Sequence, residues 1–192
     1  INLIAELEDG TEIQGESNIG NHHLSHPGKI KRIRLSKSSV KPIEQAIDAI
    51  YEADVIVLGP GSLYTSIIPN LLVEGIVEAI ANSRAAKVYV CNIMTQPGET
   101  EGYTVSDHIN AIDVHTGKRI IEICVVNNSE IDPDILKRYK DDGSEQVKID
   151  YAKLKSMGVR IIERDMASIR NDMVRHNSDM LARTIFEIAK LG

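Results

Sequence analysis

The sequence predicts an α/β fold with a Rossmann-like, three-layer core around a parallel sheet, to which a β-hairpin is added. Residues 55–58 and 87–93 are apolar runs too continuous for half-exposed strands, so both are predicted to be buried, with 55–58 a central strand covered on both faces. A helical apolar pattern over about 69–83 lies between them, and strand, helix, strand in this order makes the two strands parallel. Residues 2–7 and 11–16, joined by an Asp-Gly turn, predict the hairpin.

The other elements follow from periodicity and from proline and turn residues. Residues 29–35 alternate basic and apolar side chains, which predicts a strand with a basic solvent face, and Pro42 stands at the favoured first turn of a helix over 42–52. Residues 18–28 are predicted to form an exposed, mobile loop. The remaining predicted elements, in chain order, are helix 104–114, strand 120–126, helix 132–140, a short strand after an Asp-Asp-Gly turn, helix 151–157, strand 159–164 and helix 176–190.

The composition predicts a single α/β domain over residues 1–192, a length that buries a sizeable core. The net charge of −6 argues against nonspecific binding to a nucleic acid polymer. No apolar run of membrane-spanning length and no signal peptide occur, so we expect a cytoplasmic protein that does not insert into a membrane. Cys91 and Cys124 lie in apolar strands and are expected to be buried, reduced thiols. The composition leaves open whether the chain forms a homodimer.

Residues 59–66 are predicted to be a ligand-binding loop, because they follow the carboxyl end of a parallel strand. Gly59 and Gly61 let a ligand approach the backbone, and hydroxyl residues beside them accompany free amide donors. An acidic or phosphorylated small molecule fits such a loop. The alternative is a turn that only joins a strand to a helix, but such a turn needs fewer residues than this stretch contains.

A second long loop, over residues 94–103, follows the strand predicted at 87–93. Adjacent parallel strands place the loops at their carboxyl ends side by side, so we expect the two loops to line one crevice. The residues of these loops and their flanks that we predict to bind the ligand are Gly59, Gly61, Ser62, Tyr64, Thr65, Ser66, Asn92, Thr95, Gln96, Glu99 and Tyr103.

Three histidines, His22, His23 and His26, lie close together in the loop predicted over 18–28. Side chains at this spacing are able to bind zinc or nickel, but the sequence offers no second group of ligands to complete a site. Paired-cysteine and Asp-rich magnesium motifs are also missing from the sequence. We therefore expect no metal and no cofactor, with the histidines in an exposed loop.

Two places beyond the loops carry further candidate residues. Asp107 and His108 begin a predicted helix, where adjacent residues point to different faces, so Asp107 is expected to stabilise the helix N-terminus and His108 to reach the ligand. Arg175 precedes the last helix, and its guanidinium suits a diphosphate; a solvated surface arginine is the alternative. Asn177 or Ser178 is expected to cap that helix.

Three motifs carry a resemblance to a known family. They are Leu58-Gly59-Pro60-Gly61-Ser62-Leu63-Tyr64, the stretch from Cys91 to His108, and Val174-Arg175-His176-Asn177. With them the chain resembles YvcK proteins, the gluconeogenesis factors, over most of its length, and more distantly CofD, the 2-phospho-L-lactate transferase of deazaflavin coenzyme synthesis. The glycine-rich nucleotide loop of the family, near the native N-terminus, has no counterpart here. We therefore expect this sequence to be the C-terminal portion of a longer protein.

The resemblance implies a ligand and two functions. It implies that Arg175 contacts a nucleotide sugar and that Tyr139 stacks on its base. One implied function is a non-catalytic regulatory protein that binds a UDP-sugar and supports cell shape during gluconeogenic growth. The other is a phospholactyl transferase that uses a guanine nucleotide donor. CofD-like proteins carry an Ala-Pro-Ser-Asn-Pro type of loop, whereas this chain has glycines at positions 59 and 61, which favours the first function and leaves catalysis open.

The resemblance also implies a regulatory site. YvcK-like proteins carry a kinase-targeted threonine at the place of Ser178. A phosphate there would lie near Arg175 and compete with the ligand's diphosphate for the guanidinium. The alternative is that Ser178 only caps the helix.

Overall fold

A four-stranded parallel sheet in the order β4-β5-β6-β7 forms the centre of the molecule. The computed structural model describes residues 1–190; residues 191 and 192, the last two of the predicted domain, lie outside that range. The strands consist largely of β-branched residues, as expected for a sheet with helices on both faces. They are β4 (Val55–Leu58), β5 (Ala86–Val90), β6 (Ile123–Asn127) and β7 (Arg160–Arg164).

Helices cover both faces of this sheet and give three layers. On one face, Tyr89 and Cys124 pack in a cluster with Ile112 and Leu154. On the other, Val125 and its neighbours pack with residues of two further helices. The predicted fold class is therefore confirmed. The covering helices are α2 (Glu44–Glu52), α4 (Ile76–Asn82), α5 (Val105–Thr116), α6 (Pro133–Asp141), α7 (Tyr151–Met157) and α8 (Ser178–Ala189).

The added hairpin is present and belongs to a three-stranded antiparallel sheet. Strand β1 (Leu3–Leu7) lies between β2 (Glu12–Gln14) and β3 (Ile30–Leu35). The second predicted strand ends early because the chain turns at Gly15, φ +96°, into helix α1 (Glu16–Asn21).

The prediction of an exposed loop over 18–28 is wrong for residues 18–24, which are helical, whereas residues 25–28 lack helix and strand and are largely exposed. Helix α1 occupies its first part, and a 3₁₀ turn, His22–Leu24, follows directly. The His22 side chain is only 2% exposed, because its ring lies between two backbone carbonyl groups of the same segment. The glycines and the proline of the segment indicated a loop, but the buried His22 ring anchors part of the segment in the interior.

The prediction that Val55–Leu58 is a central strand is also wrong for the part of the chain described. β4 lies at the edge of the parallel sheet and pairs only with β5. Its outer side chain Val57 is 40% exposed. A continuous apolar run does not show whether a strand lies at the centre or at the edge of a sheet, because strand order is set by contacts distant in sequence.

The single helix predicted over 69–83 is divided. A π-helical turn, Leu63–Ile67, leads into the short helix α3 (Ile68–Leu71), and α4 starts only after Gly75. Gly75 has φ +81°, a left-handed conformation that interrupts the helix.

The region after β7 contains a hairpin that the sequence did not indicate. Strands β8 (Ala167–Arg170) and β9 (Met173–His176) are joined by Asn171 and Asp172, both with positive φ. The short strand predicted after residue 143 is absent from residues 1–190; isolated bridges, Met94 to Gln146 and Thr104 to Lys148, occur instead.

Two further observations concern the cysteines and the helices. Cys91 and Cys124 are buried free thiols, as predicted. Within residues 1–190, none of the individual helices combines the length and apolar character needed to cross a bilayer.

Candidate functional site

A cleft of about 780 Å³ opens at the carboxyl edge of the parallel sheet. One wall consists of the two loops that follow β4 and β5, and the other consists of β9 with a side chain of α6. Eight of the predicted binding residues line this cleft. They are Gly61, Ser62, Ser66, Asn92, Thr95, Gln96, Tyr139 and Arg175.

Direct hydrogen bonds join the two loops, which confirms the prediction that they line one crevice. The Ser62 hydroxyl donates to Gln96 Oε1 at 2.8 Å. The Asn92 amide donates to the carbonyl oxygen of Gly61 at 2.9 Å. We call the loops over 59–66 and 94–103 together the loop wall.

The carboxylate of Glu99 holds the loop wall together from behind. Glu99 Oε2 accepts from the Tyr64 backbone N–H at 3.0 Å, and Oε1 accepts from the Thr65 hydroxyl at 3.0 Å and from Gln96 Nε2 at 3.2 Å. Its side chain is 4% exposed, and burial raises its pKa, opposed by these hydrogen bonds. Tyr64, Thr65 and Glu99 thus lie behind the cleft surface. The first loop was expected to offer free amide donors, but the Tyr64 amide already has an acceptor.

His108 lies in the interior, and Tyr103 is half-buried against it. The Tyr64 and Tyr103 hydroxyls are 2.7 Å apart, and burial raises the pKa of both phenols. The edge of the His108 ring faces Tyr103, with ring centroids 5.5 Å apart. His108 is fully buried, its Nδ1 lies 2.8 Å from the Thr104 carbonyl oxygen, and burial lowers its pKa. These side chains support the loop wall without lining the cleft.

Gly59 lies outside the cleft, where a groove along β4 begins. Its φ is +88°, and a Cβ built on it would stand 2.9 Å from the carbonyl oxygen of Val90. Any other residue would clash with backbone, so Gly59 is required for the strand-to-loop turn.

Asp107 performs the role predicted for it at the start of α5. Its Oδ2 accepts from the Thr104 backbone N–H at 2.9 Å, and the Thr104 hydroxyl lies 3.4 Å from the Asp107 N–H. This reciprocal capping box fixes the helix start directly after the second loop.

We call the side of the cleft formed by β9 and α6 the hairpin wall. The Tyr139 hydroxyl accepts from the Val174 backbone N–H at 2.9 Å, which ties α6 to β9. Arg175 is exposed, and its Nη2 lies 3.3 Å from Met173 Sδ. Of the described residues that line this cleft, Arg175 is the only lysine or arginine. The wall therefore offers one guanidinium to an anionic group.

Two polar residues that line the cleft, His176 and Ser144, were not among the predicted binding residues. His176 Nε2–H donates to the Cys91 carbonyl oxygen at 3.1 Å, and burial lowers the pKa of the ring. The position of His176 next to Arg175, in the motif Val174-Arg175-His176-Asn177, is the sequence feature that could have indicated its role. Ser144 lines the cleft from the turn after α6, and no local pattern indicated this.

The cap of the last helix is Asn177. Its Oδ1 accepts from the Met180 backbone N–H at 3.1 Å, so Asn177, and not Ser178, is the N-cap. Ser178 is the first helical residue, is exposed, and lies outside the cleft lining.

A sequence model of one protein family matches residues 1–167, and that family is described as 2-phospho-L-lactate transferase CofD. The chain is similar to the gluconeogenesis factor of Bacillus subtilis, with 41% identity over 98% of this chain and 58% of the relative. It is also similar to the gluconeogenesis factor of Halalkalibacterium halodurans, with 46% identity over 96% of this chain and 56% of the relative.

Solved structures agree with these matches. A crystal structure of a UPF0052 family member from Bacillus halodurans superposes with a TM-score of 0.90 and 45% sequence identity. The match covers 96% of this chain and 58% of that one. The chain thus spans somewhat more than half the length of the relatives it matches.

Proposed function

We propose that this chain, which belongs to the CofD family and is similar over nearly its whole length to gluconeogenesis factors, binds a nucleotide sugar of the UDP-sugar class in its cleft. The observation that carries the proposal is the pairing of a polar loop wall with a single guanidinium across about 780 Å³. That volume suits a ligand of nucleotide-sugar size.

The chemistry of the two walls supports a diphosphate ligand. Arg175 lines the same cleft as Ser62, Asn92 and Gln96, which carry hydroxyl and amide groups. A planar guanidinium binds a phosphate through two parallel hydrogen bonds, while hydroxyl and amide groups suit a ribose or a sugar. Tyr139 presents a ring beside Arg175, where a base can stack.

The role we propose for such binding is regulatory. Similarity to relatives named gluconeogenesis factor supports a role in gluconeogenic growth. Within that role, the proposed protein senses a sugar nucleotide and supports cell shape when cells grow on gluconeogenic carbon. In this account the ligand reports the state of sugar metabolism and is released unchanged.

A second candidate is a phospholactyl transferase with a guanine nucleotide donor, favoured by the match of the CofD family model to residues 1–167. The sequence of the first loop distinguishes the two candidate functions. This chain has Leu58-Gly59-Pro60-Gly61-Ser62 where CofD-like proteins carry an Ala-Pro-Ser-Asn-Pro type of loop, which favours the regulatory function.

Calorimetric titration of the full-length protein tests the proposal. UDP-glucose should bind saturably, UDP should bind more weakly, and GDP should compete poorly with UDP-glucose. Recovery of UDP-glucose unchanged after incubation supports a regulatory role. Preferential GDP binding, or transfer of a phospholactyl group to a deazaflavin, would establish the transferase instead.

A further inference from the structure

His22 is buried between two groups that only accept hydrogen bonds. Its Nδ1 lies 2.7 Å from the Ile19 carbonyl oxygen and its Nε2 lies 2.8 Å from the Gly28 carbonyl oxygen. A neutral imidazole carries one N–H, so it satisfies only one of these contacts and presents a lone pair to the other oxygen. Both contacts are hydrogen bonds only when both nitrogens carry a proton and the ring is a cation.

The turn that contains His22 packs directly on the second loop of the loop wall. A Cβ built on Gly98 would lie 2.8 Å from His23 Nδ1 and 3.2 Å from His23 Cβ, so no side chain fits between turn and loop. Gly98 also has φ +78°. Because Glu99 is the next residue, the position of the turn is coupled to that of its carboxylate.

Glu99 lacks a charged group among the partners that hold it. The backbone of Tyr64, the hydroxyl of Thr65 and the amide of Gln96 are all neutral donors. A buried carboxylate held by neutral donors alone is costly to ionise. The charge of His22 lowers the pKa of Glu99, which opposes the effect of burial.

We infer that His22 is a buried imidazolium that serves as the counter-charge of Glu99 and so positions the loop wall of the cleft. The other titratable groups of this corner are His23, whose ring centroid lies 6.5 Å from that of His22, exposed His26 in the same turn, and Glu8 beyond β1. His22 is therefore a positioning residue, since it acts on the cleft through Glu99.

The effect of losing this charge follows from the geometry. While both ring nitrogens of His22 carry a proton, both carbonyl groups have donors and the Glu99 carboxylate has a cation in the turn that packs on its loop. A side chain that lacks the charge and fills only one of these contacts leaves one carbonyl unpaired and Glu99 without its counter-charge. The loop wall should then be less ordered, and ligand affinity should fall.

Nitrogen-detected NMR of the histidine rings of the full-length protein tests the charge state without any ligand. At neutral pH both ring nitrogens of His22 should show the equivalent shifts of an imidazolium. In a Glu99→Gln variant at the same pH, the imidazolium signal of His22 should be weaker. A His22 ring that is a neutral tautomer at that pH, or one indifferent to Glu99→Gln, would overturn the inference.

Binding gives a second readout, which rests on the proposed function. His22→Gln keeps one donor without the charge and should weaken UDP-glucose binding about tenfold at neutral pH, the equivalent of one pKa unit of interaction. His26→Gln, which changes an exposed histidine of the same turn, should retain wild-type affinity. A wild-type protein that fails to bind UDP-glucose contradicts the proposed function, while wild-type affinity in His22→Gln contradicts the inference.

Discussion

The two walls of the cleft are held in different ways. The loop wall is tied internally by the buried Glu99 carboxylate, which accepts from three donors. The hairpin wall is anchored at its base by Asn127, whose Oδ1 accepts from the backbone N–H of Met166 and Ala167 at 2.9 and 3.0 Å. Its binding side chain, Arg175, projects exposed from the far strand. The loop wall thus fixes the shape of the cleft, and the hairpin wall supplies the positive charge of Arg175.

This difference separates stability from affinity. Removing a buried charged group that has several partners costs folding free energy, because the partners are left unsatisfied. Removing an exposed arginine costs little folding free energy but removes the charge available to a ligand. Substitutions on the two walls should therefore act on different measurements.

The largest effect is expected from Arg175→Ala. Affinity for UDP-glucose should fall by about 2–4 kcal/mol, or roughly 30- to 1,000-fold, because the diphosphate loses the guanidinium that Arg175 supplies to the cleft. The melting temperature should not change. Calorimetric titration measures the affinity, and Arg170→Ala, on the neighbouring strand, is the matched control. Equal losses in the two variants would remove Arg175 from the site.

Glu99→Ala tests the loop wall. The free energy of unfolding should fall by about 3 kcal/mol, since the Tyr64 amide and the Thr65 hydroxyl lose a buried acceptor. Urea denaturation measures this loss. Glu101→Ala, exposed in the same loop, should change stability by less than about 0.5 kcal/mol. A Glu99→Ala protein as stable as the Glu101→Ala protein would contradict the role given to this carboxylate.

Tyr139→Phe examines the tie between α6 and β9. The variant keeps the ring and removes the hydroxyl that accepts from the Val174 N–H, so stability should fall by about 1–2 kcal/mol. Affinity should fall in parallel, because the strand that carries Arg175 loses one anchor. Denaturation and titration together give the result; a loss of affinity without any loss of stability would mean that the hydroxyl contacts the ligand directly.

The smallest effect is expected at Ser178. A Ser178→Glu substitution places a carboxylate at the start of α8, close in sequence to Arg175, and should lower UDP-glucose affinity by about 0.5–1 kcal/mol without lowering the melting temperature. Ser178→Ala should leave affinity unchanged, since Asn177 is the cap. Identical affinities for the two variants would leave no regulatory role for this position.

Topology explains what the sequence predicted well. Two apolar runs around a helical segment are enough to indicate parallel strands, and parallel strands place their carboxyl-end loops together. The contact between Ser62 and Gln96 follows from that rule. Arg175 and Tyr139 required the family resemblance, because an exposed arginine and a helical tyrosine have no local signature of binding.

Long-range contacts explain what the sequence did not predict. Whether Glu99 points into the cleft or behind it depends on the Tyr64 amide, which lies in another loop. The hairpin of β8 and β9 turns on Asn171 and Asp172, without the glycine that usually marks a two-residue turn. The burial of His22 depends on carbonyl groups whose positions only the folded segment defines.

The central claim is that one ligand bridges the two walls. NMR titration of the isotope-labelled full-length protein with UDP-glucose tests it most directly, through the backbone signals of Ser62 and Gln96 and the side-chain signal of Arg175. The account predicts that all three shift saturably with one dissociation constant. Saturable binding that leaves either wall unperturbed, or no binding at all, would contradict it.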